Sequence, residues 1–161
     1  MNLLLCGAAT ANAFDGDKVL GDTVGGTDDA VTLKGVPSRG SCGYLALGEA
    51  LGNVPVGRHF KTPCAPVWVV YSESHYSVLF ALDVGLVEPG AAAPREFDLY
   101  YFDGLANQDE EYRLTVDVKP GSDFDVPDPD DASALTPPLD LVIRTKWPGA
   151  RVDWGDSEPI L

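Results

Sequence analysis

The stretch Trp68 to Phe80, WVVYSESHYSVLF, sets a histidine between two runs of β-branched and aromatic residues. Such residues fit the pleated, half-buried surface of a sheet, so each run reads as a strand and the two together as a central pair spanning Val67 to Leu82. Ser72, Glu73 and Ser74 interrupt the apolar pattern between them. His75 is therefore expected at a strand start or bend, with its imidazole near solvent. An imidazole ordinarily titrates close to neutral pH, and a thiol or hydroxyl nucleophile needs such a base within hydrogen-bond reach. The alternative is a histidine satisfied at a strand edge, with no part in chemistry.

Downstream, Phe97 to Phe102 (FDLYYF) is a second strong strand, and Asp103-Gly104 is a turn signal that leads back through a hairpin or longer connection to a strand at Tyr112 to Val118. The prolines around the tract PGAAAP, Pro89 to Pro94, argue for a surface loop from Asp83 to Arg95 in spite of its alanines. Residues 119–138 are rich in Asp, Pro and Ser, which predicts an extended or disordered acidic loop. The run Leu139 to Thr145 reads as a further strand, and Trp147 and Trp154 in the tail as anchors that cover the core.

Upstream, Asn2 to Ala8 reads as a first strand, NAFDGD as a turn, Gly21 to Asp29 as a loop and Ala30 to Gly35 as a short strand. Tyr44, Leu45, Leu47 and Leu51 recur at helical spacing. A helix of about three turns is expected over Cys42 to Leu51, capped by Ser41 and ended by Gly52-Asn53. Five to seven strands and one clear helix make an α+β domain with a mostly antiparallel sheet and few helices.

A chain of 161 residues, 45% of them hydrophobic, fits one domain over residues 1–161 with a core of its own. The net charge of −14 argues against a nucleic-acid partner, whose phosphates require Lys and Arg to neutralise them. Three cysteines, Cys6, Cys42 and Cys64, cannot all pair and follow no zinc-ligand spacing, which points to a reduced, intracellular protein, in cytoplasm or nucleus, without a structural metal. The start MNLLLCGAATANA lacks a positive region and a long apolar run, so no signal peptide is expected. No segment has the roughly 18 apolar residues of a membrane span.

Cys42, at the start of the predicted helix, occupies a position where free N–H groups and the helix dipole stabilise a thiolate. On the residues alone, Cys42 with His75 makes a nucleophile and base; the competing reading is a small buried hydrophobe.

In the order in which they occur, FDGD, TLKGVPSR, VGRHFKTPCAPVWVVYSESHYSVLF, FDLYYFDGLANQ and LVIRTKWPGARVDWGDSEPIL resemble the C-terminal half of the catalytic domain of MINDY family deubiquitinases, in its longer-domain branch. The likeness covers nearly the whole chain, and its specificity lies in the combination of SESH, DLYYFDGLANQ and RTKWP, not in any one of them. It implies a papain-like cysteine peptidase fold that hydrolyses ubiquitin chains, with a preference for the proteasome-targeting linkage, and with ubiquitin or polyubiquitin as partner. It also implies that the family's catalytic histidine falls on His75. The family's nucleophilic cysteine and oxyanion-hole glutamine lie upstream of the resembling stretch, so the chain is expected to carry the general-base half of the site and to be inactive alone. Asp103 and Asn107 have the chemistry of a group that orients the imidazole. At the Cys42 position the family resembles an aliphatic site, which favours the buried-hydrophobe reading. No cofactor or metal is implied. Two other classes stay open, a ubiquitin-binding module that does not cut and a stand-alone thiol hydrolase built on Cys42 and His75.

Overall fold

A computed structural model describes residues 1–21, 30–104, 108–118 and 136–159. In chain order the elements are α1 (Asn2–Cys6), β1 (Lys18–Leu20), β2 (Val31–Leu33), β3 (Gly43–Ala46), α2 (Leu47–Ala50), α3 (Arg58–Lys61), β4 (Val67–Ser72), β5 (His75–Phe80), a 3₁₀ turn (Val84–Val87), β6 (Glu96–Phe102), β7 (Tyr112–Val118), α4 (Pro138–Lys146) and β8 (Ala150–Asp153). Strands β3 to β8 lie in sequence order in one six-stranded sheet, while β1 and β2 form a separate antiparallel pair. Within the large sheet only β3 and β4 run parallel. The architecture is α+β with a mostly antiparallel sheet, as the strand pattern predicts.

The central strands alternate as a sheet with one covered face should. Trp68 and Val70 of β4, Ser77 and Leu79 of β5, Phe97, Leu99 and Tyr101 of β6, and Leu114 and Val116 of β7 are buried. Leu139, Val142 and Ile143 of α4, with Trp147 and Trp154, close over that face and complete the main core. Both tryptophans are therefore core-covering anchors: Trp147 meets Trp68 edge to face, and the indole N–H of Trp154 donates to Asp140 Oδ1 at 3.0 Å. A second cluster of Leu5, Val36, Tyr44, Ala46, Val56 and Phe60 fills the other face at the β3 edge.

Four expectations are corrected. The expected strand Asn2 to Ala8 is instead helix α1 over Asn2–Cys6, and Gly7 in the left-handed region (φ 72°) closes it. Its Asn2 side chain reaches Thr10 and Asn12 carbonyls at 2.8 and 2.9 Å, which folds the chain back on itself. Cys42 to Leu51 is not one helix: Gly43–Ala46 is a strand buried on both faces, and only Leu47–Ala50 is helical. A short continuous apolar run cannot be told from a buried helix by spacing, and here Leu45 serves one cluster while Tyr44 and Ala46 serve the other. Gly43 is needed because a Cβ there would strike Phe60 O and the Trp68 indole.

Leu139 to Thr145 belongs to helix α4, begun by Pro138 in its first turn, where a missing N–H costs nothing. Leu139, Val142 and Ile143 recur at i, i+3 and i+4, the helical stripe that a strand reading overlooks. A helical turn not expected at all, α3, has its N–H groups satisfied from 43 and 44 residues away, Arg58 N by Asp15 Oδ2 at 2.8 Å and His59 N by Asp15 Oδ1 at 3.0 Å. The 3₁₀ turn Val84–Val87 likewise interrupts the expected loop, with Asp83 capping it. Most of the predicted loop Gly21 to Asp29, and residues 119–135 of the predicted acidic loop, lie outside the described residues. Among the described residues no helix is long and apolar enough to cross a membrane.

Candidate active site

Strands β4 and β5 are joined through Glu73 and Ser74, whose φ values of 48° and 72° are both positive. This is the twist a two-residue hairpin needs, and Asn-Gly commonly supplies it. Glu73 and Ser74 hold it without glycine's freedom, immediately before His75. The turn fixes the register: Ser72 opposes His75, so His75, Ser77 and Leu79 point to the face that carries the main core.

On the neighbouring strand Val78 opposes Phe102, which continues to place Asp103 beside Ser77, on the same face as His75 and one pleat along. The two side chains meet across that diagonal, with His75 Nε2 2.7 Å from Asp103 Oδ2. Asp103 is 2% exposed, while the His75 side chain keeps 31% of its surface open. One partner is thus fixed in the protein interior and the other is presented to solvent. Asp103 Oδ2 also accepts from the Tyr101 hydroxyl at 3.4 Å, and burial, ahead of a lowering bond from Ser77 and a raising contact with Asp103, pushes the Tyr101 phenol up. Gln108 accepts from the Asp103 backbone N–H through Oε1 and donates to Tyr101 O at 3.5 Å. That glutamine, absent from the sequence-derived candidates, staples the loop after β6 so that Asp103 stays under the ring.

With Nε2 donating to a carboxylate, the remaining lone pair of the imidazole is on Nδ1. The pair can accept and return a proton at Nδ1 while Asp103 stabilises the cation formed. Asn107, the other orienting candidate, lies outside the described residues.

Cys42 is not brought to this pair. It precedes β3, not a helix, so the dipole argument for a reactive thiolate does not hold. In the parallel register Gly43 faces Trp68, which sets Cys42 level with Val67 and five residues down β4 from Ser72 and His75. At about 3.3 Å per residue that is about 16 Å along the strand, against the roughly 3 Å that proton transfer requires. Cys6 and Cys42 both pack against the second cluster, on the sheet face opposite His75, and Cys64 is exposed in the segment before β4.

Residues 1–156 match the family described as deubiquitinating enzyme MINDY-3/4, conserved domain. The chain is 49% identical over its whole length to the bovine probable ubiquitin carboxyl-terminal hydrolase MINDY-4, covering 20% of that relative, and 46% identical to the human protein of the same name, again covering 20%. It is 39% identical over 62% of its length to mouse ubiquitin carboxyl-terminal hydrolase MINDY-3, covering 21% of it. The chain thus spans about a fifth of the length of these curated relatives. No solved structure matches it.

Proposed function

Because the chain belongs to the MINDY-3/4 deubiquitinase family, we propose that it supplies the general-base part of a papain-like cysteine peptidase that cleaves polyubiquitin. The observation that carries this reading is the 2.7 Å pair of half-exposed His75 and buried Asp103 at the mouth of the central hairpin. A buried carboxylate behind a partly open imidazole is the arrangement that holds a catalytic base in one tautomer.

In the proposed cycle His75 Nδ1 takes the proton of a cysteine thiol, and the thiolate attacks the isopeptide carbonyl carbon. The tetrahedral intermediate collapses with cleavage of the C–N bond as the His75 imidazolium gives its proton to the departing lysine amine. Water, deprotonated by the neutral His75, then attacks the thioester and releases the ubiquitin carboxylate and the thiol. Asp103 stays ionised throughout, accepting from Nε2–H and lowering the cost of the imidazolium. The preferred substrate in this reading is the proteasome-targeting linkage.

The thiol is not one of the chain's three cysteines. Cys6 and Cys42 pack against the sheet's other face, and Cys64 lies beyond the start of β4, while His75 stands at its end. Incubating the chain with tetra-ubiquitin of the proteasome-targeting linkage is expected to yield no cleavage. Cleavage lost on Cys42→Ala would overturn the assignment and restore the stand-alone hydrolase.

A further inference from the structure

A cavity of about 490 Å³ opens at the end of the molecule away from His75, between α3, the 3₁₀ turn with its following loop, and the end of α4. That volume lies within the roughly 300–1,000 Å³ of small-molecule sites. Lys146 stands at its wall with its ammonium over the rings of Trp68 and Trp147, 5.2 and 4.8 Å from their centroids. Trp68, the second residue of β4, stands four residues from Ser72, the partner of His75, so the ring under Lys146 and the His75–Asp103 pair are about 13 Å apart along that strand.

Three cations converge on this space, Arg39, Arg58 and Lys146. Arg39 is fixed by three carbonyls, donating to Thr62 O and Pro63 O at 2.6 Å and to Val87 O at 2.8 Å, and so ties two walls together. Among the described residues none of the three has a carboxylate within ion-pair distance. Among the described residues the Lys146 ammonium has only Leu86 O, at 3.5 Å, as a hydrogen-bond acceptor. Two carboxylates line the cavity as well. Both Asp15 oxygens are taken up by backbone N–H groups of α3, and Glu88 is solvent-exposed.

Burial, followed by the neighbouring Lys61 and Arg39 charges, pushes the Lys146 ammonium down to about 8. A part-buried cation without a counter-ion is costly, and an anion entering the cavity would remove that cost. The convergence of two part-buried cations, Arg39 and Lys146, with the exposed Arg58 runs against a whole-chain charge of −14 that repels anions from most of the surface. Leu86 and Trp147 give the same cavity an apolar wall beside the charges.

We propose that this cavity binds a small molecule that carries an oxyanion, a phosphate or carboxylate, on an apolar body, the oxyanion held by Lys146, Arg58 and Arg39 and the body against Leu86 and Trp147. The site is independent of the proposed peptidase centre.

The test is an NMR titration of the chain with inorganic phosphate and with phenyl phosphate, at ionic strength held constant with chloride. Saturable shifts of the Gly85, Gly90 and Trp147 signals are expected with both, phenyl phosphate binding more tightly through its ring. Lys146→Met and Arg58→Ala should each weaken binding by about tenfold or more, the loss of a charge-assisted hydrogen bond, and leave the His75 ring signals in place. Should Lys146→Met not fold, Arg58→Ala decides alone, since Arg58 is exposed and makes no side-chain bond within the described structure. Absence of a saturable shift in the wild type, or unchanged affinity in Arg58→Ala, would overturn the proposal. Because the readout is binding, it stands or falls separately from ubiquitin cleavage.

Discussion

His75 and Asp103 were both legible as residues before their contact was. The polar break SES placed the histidine at a strand start, and the turn signal after FDLYYF placed an aspartate at the end of the next strand. What spacing could not supply was the register that sets them diagonally on one face, or the Gln108 staple beneath. If Asp103 selects the ring's tautomer, then ¹⁵N-resolved spectra of the wild-type imidazole should show the Nε2-protonated form, and Asp103→Ala should shift it to a mixture. An unchanged tautomer in Asp103→Ala would deny Asp103 an orienting role. Lys146 yields a second test at this scale. Its pKa falls from 10.5 in the ordinary case to about 8 in the folded chain. Below pH 8 both states hold the proton and the folded state bears the full penalty. Between 8 and 10.5 the unfolded chain binds more protons, so stability rises with pH there. In anion-free buffer, Lys146→Met should therefore be more stable than the wild type at pH 7, with the difference closing as pH rises from 8 to 10.5. Urea denaturation of both proteins across that range reads it, and a constant difference would contradict the burial account.

At the scale of elements, the strands β4 to β7 announce themselves because each presents one buried face, and alternation survives in the sequence. Strand β3 does not, since burial on both faces erases the alternation and leaves a run that also fits a helix. Helix α3 was hidden for a different reason: its cap, Asp15, comes from the far side of the β1–β2 excursion, and no local window contains both. The β4–β5 turn carries the third prediction. Non-glycine residues at positive φ cost about 1 kcal/mol or more each, and Glu73→Asn with Ser74→Gly relieves part of that, so the double substitution should stabilise the chain by about 1 kcal/mol, or about 2–4 °C in Tm for a protein of this size. Loss of stability on that double substitution, followed by thermal unfolding, would show that the turn is not the strained element described.

For the molecule as a whole, alternation and turn chemistry sufficed for an α+β chain with an antiparallel sheet, and the strings around SESH for the family. The convergence of Arg39, Arg58 and Lys146 was not legible, because it joins three different segments, Lys146 lying far along the chain from the two arginines. The central claim is that His75, backed by Asp103, is the proton-transfer group of a cysteine peptidase whose thiol lies on another segment. It is tested most directly by exchanging these 161 residues for the matching fifth of the bovine MINDY-4 relative, to which they are 49% identical, and measuring cleavage of tetra-ubiquitin. The chimera is expected to cleave, and His75→Ala within it to slow cleavage by about 10²-fold or more with the thermal unfolding midpoint unchanged. Full cleavage by the His75→Ala chimera would contradict the account and leave His75 a residue of the sheet edge.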